Sequence, residues 1–443
     1  MIVSSASREV LLKRIDETVR SGRADDLLAW FVAFATPLLV LPVPGGHRIG
    51  LAPFLAVAVP LFVLYRRPTR VPLAAWLSMV LILAVWASIF VVPARHRLET
   101  LVNLGIFTGI WITPWLAALP GARMHDRMRY IRAFVAGGGI ALAVGLLLFV
   151  LQVPTSAHTQ WFTVYGVDHV IRAAGLIGST GQFALLVVCW VIMACTAVLE
   201  VDGRGKRHFL FVLAILFGTT MLVLNSSRTG VLAITTVGGA ACMMYVADLI
   251  TTRHRARRSS RVVLGAGAAS VLLVAVAATS GYLASAMPSN RFVARFSQPF
   301  HLIGSAAGYD AWNRATGNRL ENWAGYWQMW KGDIALGHGY KAAEFVSSPP
   351  YIDNAYLALL LESGVLSLCT FLALVGYMIF GQLIGGHGSK ESRAIALAWT
   401  AVAVFGITAN VHTFWAIIPA LLLLGALPAR QDRGAGAEVA FSE

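Results

Sequence analysis

Residues 73–92 read LAAWLSMVLILAVWASIFVV, twenty residues without a charge. At ~1.5 Å rise per residue, a helix of that length is about 30 Å long, the thickness of a bilayer's hydrocarbon core. Arg70 lies just before the block and Pro93 stops it. Similar apolar blocks recur along the chain, separated by short arginine-rich loops, and one soluble core would not be divided this way. Charged residues make up 13% of the 443 positions, against ~25% in soluble domains. The expected fold is an all-α, polytopic integral membrane protein.

About twelve transmembrane helices are expected, nine within 27–285 and three within 363–427. Residues 1–26 precede them, with Val10, Leu11, Ile15 and Val19 interleaved with Arg8, Lys13, Arg14 and Arg20. That pattern suits an amphipathic helix on the cytoplasmic leaflet or a disordered basic tail. A polar segment, 286–362, separates the ninth and tenth spans, and 428–443 form a tail. No cleavable signal peptide is visible, because the chain's start is charged.

The net charge of +14 would suit a nucleic-acid partner only if it lay on one soluble face. Here 24 of the 35 Lys and Arg fall in alternate loops and the termini, on one side of a twelve-span layout. Positive loops stay inside, so both termini are expected in the cytoplasm and segment 286–362 in the periplasm. The basic residues then face membrane lipids, and no nucleic acid is implied. The four cysteines all fall in apolar spans, spaced for neither zinc nor a secreted disulfide framework.

This topology selects candidate residues. Arg172 and Arg228 stand at the outer ends of spans, away from the cytoplasmic clusters. An arginine there either anchors to lipid phosphate or faces a cavity, where its planar fork suits a diphosphate. Ser227, beside Arg228, adds a hydroxyl. Within 286–362, His338 lies between Gly337 and Gly339, followed by Tyr340. Glycines allow close approach of a substrate, and an imidazole can take a proton at neutral pH; a turn histidine bonded to backbone is the plainer alternative. Asp353-Asn354 offers a second base or an orienting pair. Arg319 opens a helix on which Trp323, Trp327 and Trp330 recur at i, i+4 and i+7; such a face is core packing, an interfacial belt or a sugar-stacking platform.

No Walker A loop, Gly-x-Gly-x-x-Gly loop or Asp-x-Asp motif occurs, and Glu200 and Asp202 lie on the cytoplasmic side. No cofactor and no metal are expected. A substrate used outside the cell must bring its own leaving group, as a lipid-linked diphosphate sugar does, with arginines stabilising the departing charge.

In this order, Arg172 with Gly175, Ser227-Arg228-Thr229-Gly230, Asn318-Arg319, Gly337-His338-Gly339-Tyr340, and Asn354-Ala355-Tyr356-Leu357 with Glu362-Ser363-Gly364 resemble the O-antigen ligase and polymerase superfamily of bacterial envelope biogenesis. The resemblance implies a GT-C-like, metal-independent, inverting glycosyltransferase in the bacterial inner membrane with a periplasmic active site. Its donor would be undecaprenyl-diphosphate-linked O-antigen and its acceptor a sugar hydroxyl of lipid A–core. His338 would activate that hydroxyl. Arg172, Arg228 and Arg319 would hold the diphosphate, while Tyr340 and Asn354 position substrate. Family members often carry His-Asn where this chain has Asp353-Asn354, so Asp353 is the alternative base. Polymerases tend to have two comparable periplasmic loops; here 153–177 is short beside 286–362, which favours a ligase. An O-antigen polymerase, a protein O-oligosaccharyltransferase and a twelve-span secondary transporter are the competing readings.

Overall fold

A computed structural model of the chain describes residues 23–39, 41–42, 48–66, 68, 70–123, 126–151, 162–164, 167–170, 173–177, 179–225, 227–251, 308–310, 313, 318–346, 352–385 and 389–428. Residues 1–22 of the expected amphipathic segment, Arg172, the expected ninth span at 262–285, and the tail after Pro428 lie outside these.

The helices that build the bundle and the candidate site are α1 (Arg23–Ala35), α2 (Ala52–Arg66), α3 (Leu73–Ala87), α4 (Arg97–Trp111), α5 (Arg127–Val150), α6 (Thr180–Val198), α7 (Arg204–Asn225), α8 (Arg228–Thr251), α9 (Arg319–Trp330), α10 (Ala343–Val346), α11 (Ala355–Gly376), α12 (Lys390–Gly406) and α13 (Ile418–Ala426), and a π-turn with one more helical turn, Gln382–Gly385, extends α11. Two short antiparallel ribbons, Leu41–Pro42 with Arg48–Ile49 and Phe162–Val164 with Val167–Val170, amend the purely helical expectation. Among the described residues, six helical stretches are long and apolar enough to cross a membrane: Leu73–Val91, Ala94–Ala118, Arg127–Val150, Thr180–Val198, Arg204–Asn225 and Ala355–Gly385.

The helices form one bundle. α11 packs on α3, α2 on α4, α1 on α5, and α12 against both α6 and α8. Trp111, Trp399, Phe107 and Phe371 fill its core, while Leu64, Leu83, Phe209 and Leu216 turn outward, as a lipid-facing surface requires. Polar links collect the cation-rich loops at one end. Asp25 accepts from Arg66 Nε at 2.9 Å, and the Tyr130 hydroxyl donates to Asp26 at 2.8 Å. Arg127, buried, donates to Gln382 Oε1 at 2.9 Å, to Ser392 Oγ at 3.0 Å and to the Leu427 carbonyl. Lys390 pairs with Glu200. A charge buried this way is held by such hydrogen bonds to its terminal nitrogens.

The other end of the bundle carries the candidate residues. There the last helical pair departs from the expected tight turn at Asn410 and His412. α12 stops at Gly406, a 3-10 turn spans Val411–Thr413, and α13 starts only at Ile418. The intervening chain is largely buried rather than looped outside, and the Trp111 indole donates to the His412 carbonyl at 2.9 Å. Pro419, which has no N–H to give, sits in the first turn of α13, where none is needed.

Candidate active site

Helix α11 is broken where it would enter the bundle. Gly364 has φ 87° and ψ 170°, a conformation essentially confined to glycine. Tyr356 and Phe371 lie fifteen residues apart, so a straight helix would separate them by ~22 Å. Their ring centroids are 5.9 Å apart, so the two halves fold toward each other. The Tyr356 hydroxyl donates to the Ala403 carbonyl at 2.7 Å, tying the first half to α12.

The break frees backbone groups, and the histidine segment takes them. In an unbroken helix the Leu361 carbonyl would accept from the Val365 N–H. Instead Val365 N–H donates to Ile334 O at 2.9 Å, while Leu361 O accepts the His338 N–H at 2.9 Å and Glu362 O accepts the Gly339 N–H at 2.8 Å. The two chains approach so closely that a Cβ on Gly337 would meet the Glu362 carbonyl carbon at 2.5 Å, and one on Gly364 the Ala335 oxygen at 2.2 Å. The buried Glu362 carboxylate accepts the Lys341 N–H at 3.1 Å and the Ala343 N–H at 3.4 Å, which caps the start of α10. The Gly-His-Gly and Glu-Ser-Gly motifs are thus one unit.

His338 is held on two sides. Its Nδ1 lies 3.2 Å from the Leu361 carbonyl. Its ring stacks on Trp330 with centroids 4.9 Å apart and planes 16° from parallel. Asp333 Oδ2 is 3.9 Å from Nε2. Because a carbonyl only accepts, the contact at Nδ1 puts the proton there and leaves the Nε2 lone pair open. The ring is 26% exposed and lines a cavity of about 680 Å³ bounded by Val91–Pro93, Arg95, His96, Trp330, Gly332–His338, Ala342 and Phe345.

Arg319, the first residue of α9, pairs with Asp353 at 3.2 Å. Burial raises the Asp353 pKa, and the Arg319 charge and hydrogen bond oppose that rise. Asn354 caps α11, its side-chain oxygen accepting the Leu357 N–H at 2.9 Å. Tyr340 is buried, its N–H donating to Ser88 Oγ at 3.0 Å. Burial pushes its phenol well above the ordinary value, with Glu362 and Glu344 adding to the rise, so it stays neutral. The expected tryptophan face is rotated. Trp330 is buried and Trp323 partly so, in a small core with Tyr326, Ala343, Ile352 and Leu361, whereas Trp327 is 39% exposed. The buried face therefore runs through Trp323, Tyr326 and Trp330, because the histidine segment and the first half of α11 cover that side.

Ser227 and Arg228 open α8, and Ser227 Oγ accepts the Gly230 N–H at 3.0 Å. The segment carrying the first motif joins them: Ala173 N–H donates to Leu224 O at 3.1 Å, and Asn225 Nδ2 donates to Ala173 O at 2.5 Å. The end of α12 bridges both groups of motifs. Thr408 shares a 2.6 Å hydroxyl contact with Thr229, and His412 lies edge-on to Tyr340 with centroids 6.2 Å apart.

Asp333 and the His338-stacking role of Trp330 were not singled out from sequence. Asp333 lies five residues before the histidine, close enough to have been considered as its partner. Arg95 and His96, beyond Pro93, carry no local signal at all.

A family model described as O-antigen ligase matches residues 210–372, from α7 into α11. The match includes Arg228, Arg319, His338 and Asp353 and ends before α12. No curated protein matches the chain.

Proposed function

We propose that this chain, whose residues 210–372 match a family model described as O-antigen ligase, is an O-antigen ligase, transferring glycan from undecaprenyl diphosphate to a sugar hydroxyl of lipid A–core. The reaction inverts the anomeric centre on the periplasmic face of the inner membrane. Twelve spans carry the site, with both termini cytoplasmic.

The observation that carries this reading is the pinned imidazole. Leu361 O fixes the tautomer of His338 and Trp330 fixes its plane, so Nε2 is presented to the cavity as a proton acceptor. There it takes the proton of the acceptor hydroxyl as the oxygen bonds to the anomeric carbon and the carbon–phosphate oxygen bond breaks. Asp333 stabilises the imidazolium that results. Arg228, with Arg172, holds the departing undecaprenyl diphosphate, whose developing charge takes the place of any protonated leaving group. The engagement of Asp353 with Arg319 supports His338 as base over Asp353. The scheme assigns no role to a metal.

A transfer assay with purified protein, undecaprenyl-diphosphate glycan and lipid A–core tests the assignment. His338→Ala is expected to lower turnover by ~10²–10⁴-fold, the range for loss of a general base, with unfolding temperature preserved. Full activity in His338→Ala together with loss in Asp353→Ala would transfer the role of base to Asp353.

A further inference from the structure

The cavity beside His338 has a second wall that the scheme above leaves unused. Val91 to His96 form the turn between α3 and α4, and Arg95 and His96 from it line the cavity opposite the histidine segment. This wall is built rather than incidental. Ser88 Oγ receives the Tyr340 N–H at 3.0 Å. A Cβ on Gly339 would meet Val92 Cγ2 at 2.3 Å. The His96 ring stacks on Phe345 with centroids 4.2 Å apart and planes 13° from parallel. The cavity thus lies between two stacked pairs, Trp330 with His338 and Phe345 with His96, and Arg95 is exposed at its edge.

None of the described residues lining it comes from the chain around Ala173, Asn225–Arg228 or Thr408–His412, which holds the arginine assigned to the donor diphosphate. Donor and acceptor must reach one base from different directions. Flat ring faces suit a sugar, and a guanidinium fork suits an anionic oxygen cluster.

Resting on the ligase reading, we propose that this cavity is the acceptor subsite and that Arg95 binds an anionic substituent, phosphate or carboxylate, on the acceptor glycan. Arg95 then sets which sugar is offered to His338.

Binding separates this proposal from the transfer reaction. Full-length protein in nanodiscs is titrated with lipid A–core, with undecaprenyl-diphosphate glycan and with phosphatidylglycerol, as wild type, Arg95→Ala and Arg95→Lys. The expected result is about tenfold weaker lipid A–core binding in Arg95→Ala, partly restored in Arg95→Lys, and unchanged donor binding. The loss should vanish when lipid A–core is first stripped of phosphate, or first reduced at its carboxylates, and whichever treatment does so identifies the anion. Equal lipid A–core affinity in wild type and Arg95→Ala would overturn the proposal, as would a loss confined to the donor or matched with phosphatidylglycerol. Arg95-dependent lipid A–core binding in a protein that transfers nothing would keep the subsite and remove the ligase reading.

Discussion

At the scale of single residues, the imidazole of His338 is aimed by a neighbour that looks like ordinary packing. Trp330 is 5% exposed and carries no polar contact with the ring it supports, yet it fixes the plane in which Nε2 faces the cavity. Trp330→Ala should cost about 3–5 kcal/mol, as large buried aromatics do, and should lower turnover beyond what destabilisation explains. Trp327→Ala should leave both nearly unchanged. Unfolding midpoints and single-turnover rates on the two variants check this, and equal effects would contradict it. Sequence periodicity located the helix and its tryptophans. It could not say which side was covered, because that depends on a segment that follows α9 and folds back over it. His338 was legible from its flanking glycines, and Arg228 from its place between two apolar blocks. Arg95 was not, since an arginine in a short turn has the same sequence pattern whether it faces lipid, water or a cavity.

At the scale of elements, the decisive feature is the break in α11. An apolar run beginning near 363 implies a span, and the straight half does begin just past Gly364. The mostly apolar residues before it, Ala355–Ser363, also form helix, although on sequence most of them count toward the polar segment 286–362. The break delivers two carbonyls to the histidine segment and anchors it more firmly than loop contacts would. Gly364→Ala meets both a forbidden backbone region and the Ala335 carbonyl, so it should lose at least about 1–3 kcal/mol from backbone strain alone. It should also reduce turnover by releasing His338. Thermal unfolding with hydrogen exchange at residues 334–343 would report both, and unaltered protection there would refute the coupling.

At the scale of the whole molecule, alternating loop charge implies a topology with the cation-rich loops at one end of the bundle and the candidate residues at the other. Arg66 with Asp25 and Lys390 with Glu200 lie at one end, and the histidine segment with the α12 terminus lies at the other. Cysteine introduced at Asp333 should react with an impermeant maleimide in intact cells, and cysteine at Arg204 only after permeabilisation. The reverse pattern would invert the site. What stayed hidden from sequence at this scale is the irregular stretch between α12 and α13, where a buried turn replaces a surface loop and bridges Arg228 to Tyr340 through its neighbours. The central claim is that this assembly joins a lipid-linked glycan to lipid A–core, and a reconstituted reaction tests it most directly. Undecaprenyl-diphosphate glycan is supplied with and without lipid A–core, and products are separated by size. Glycan attached to lipid A–core, formed only when that acceptor is present, is the expected result. A ladder of lengthening lipid-linked glycan in the tube without acceptor would contradict it and make the protein a polymerase.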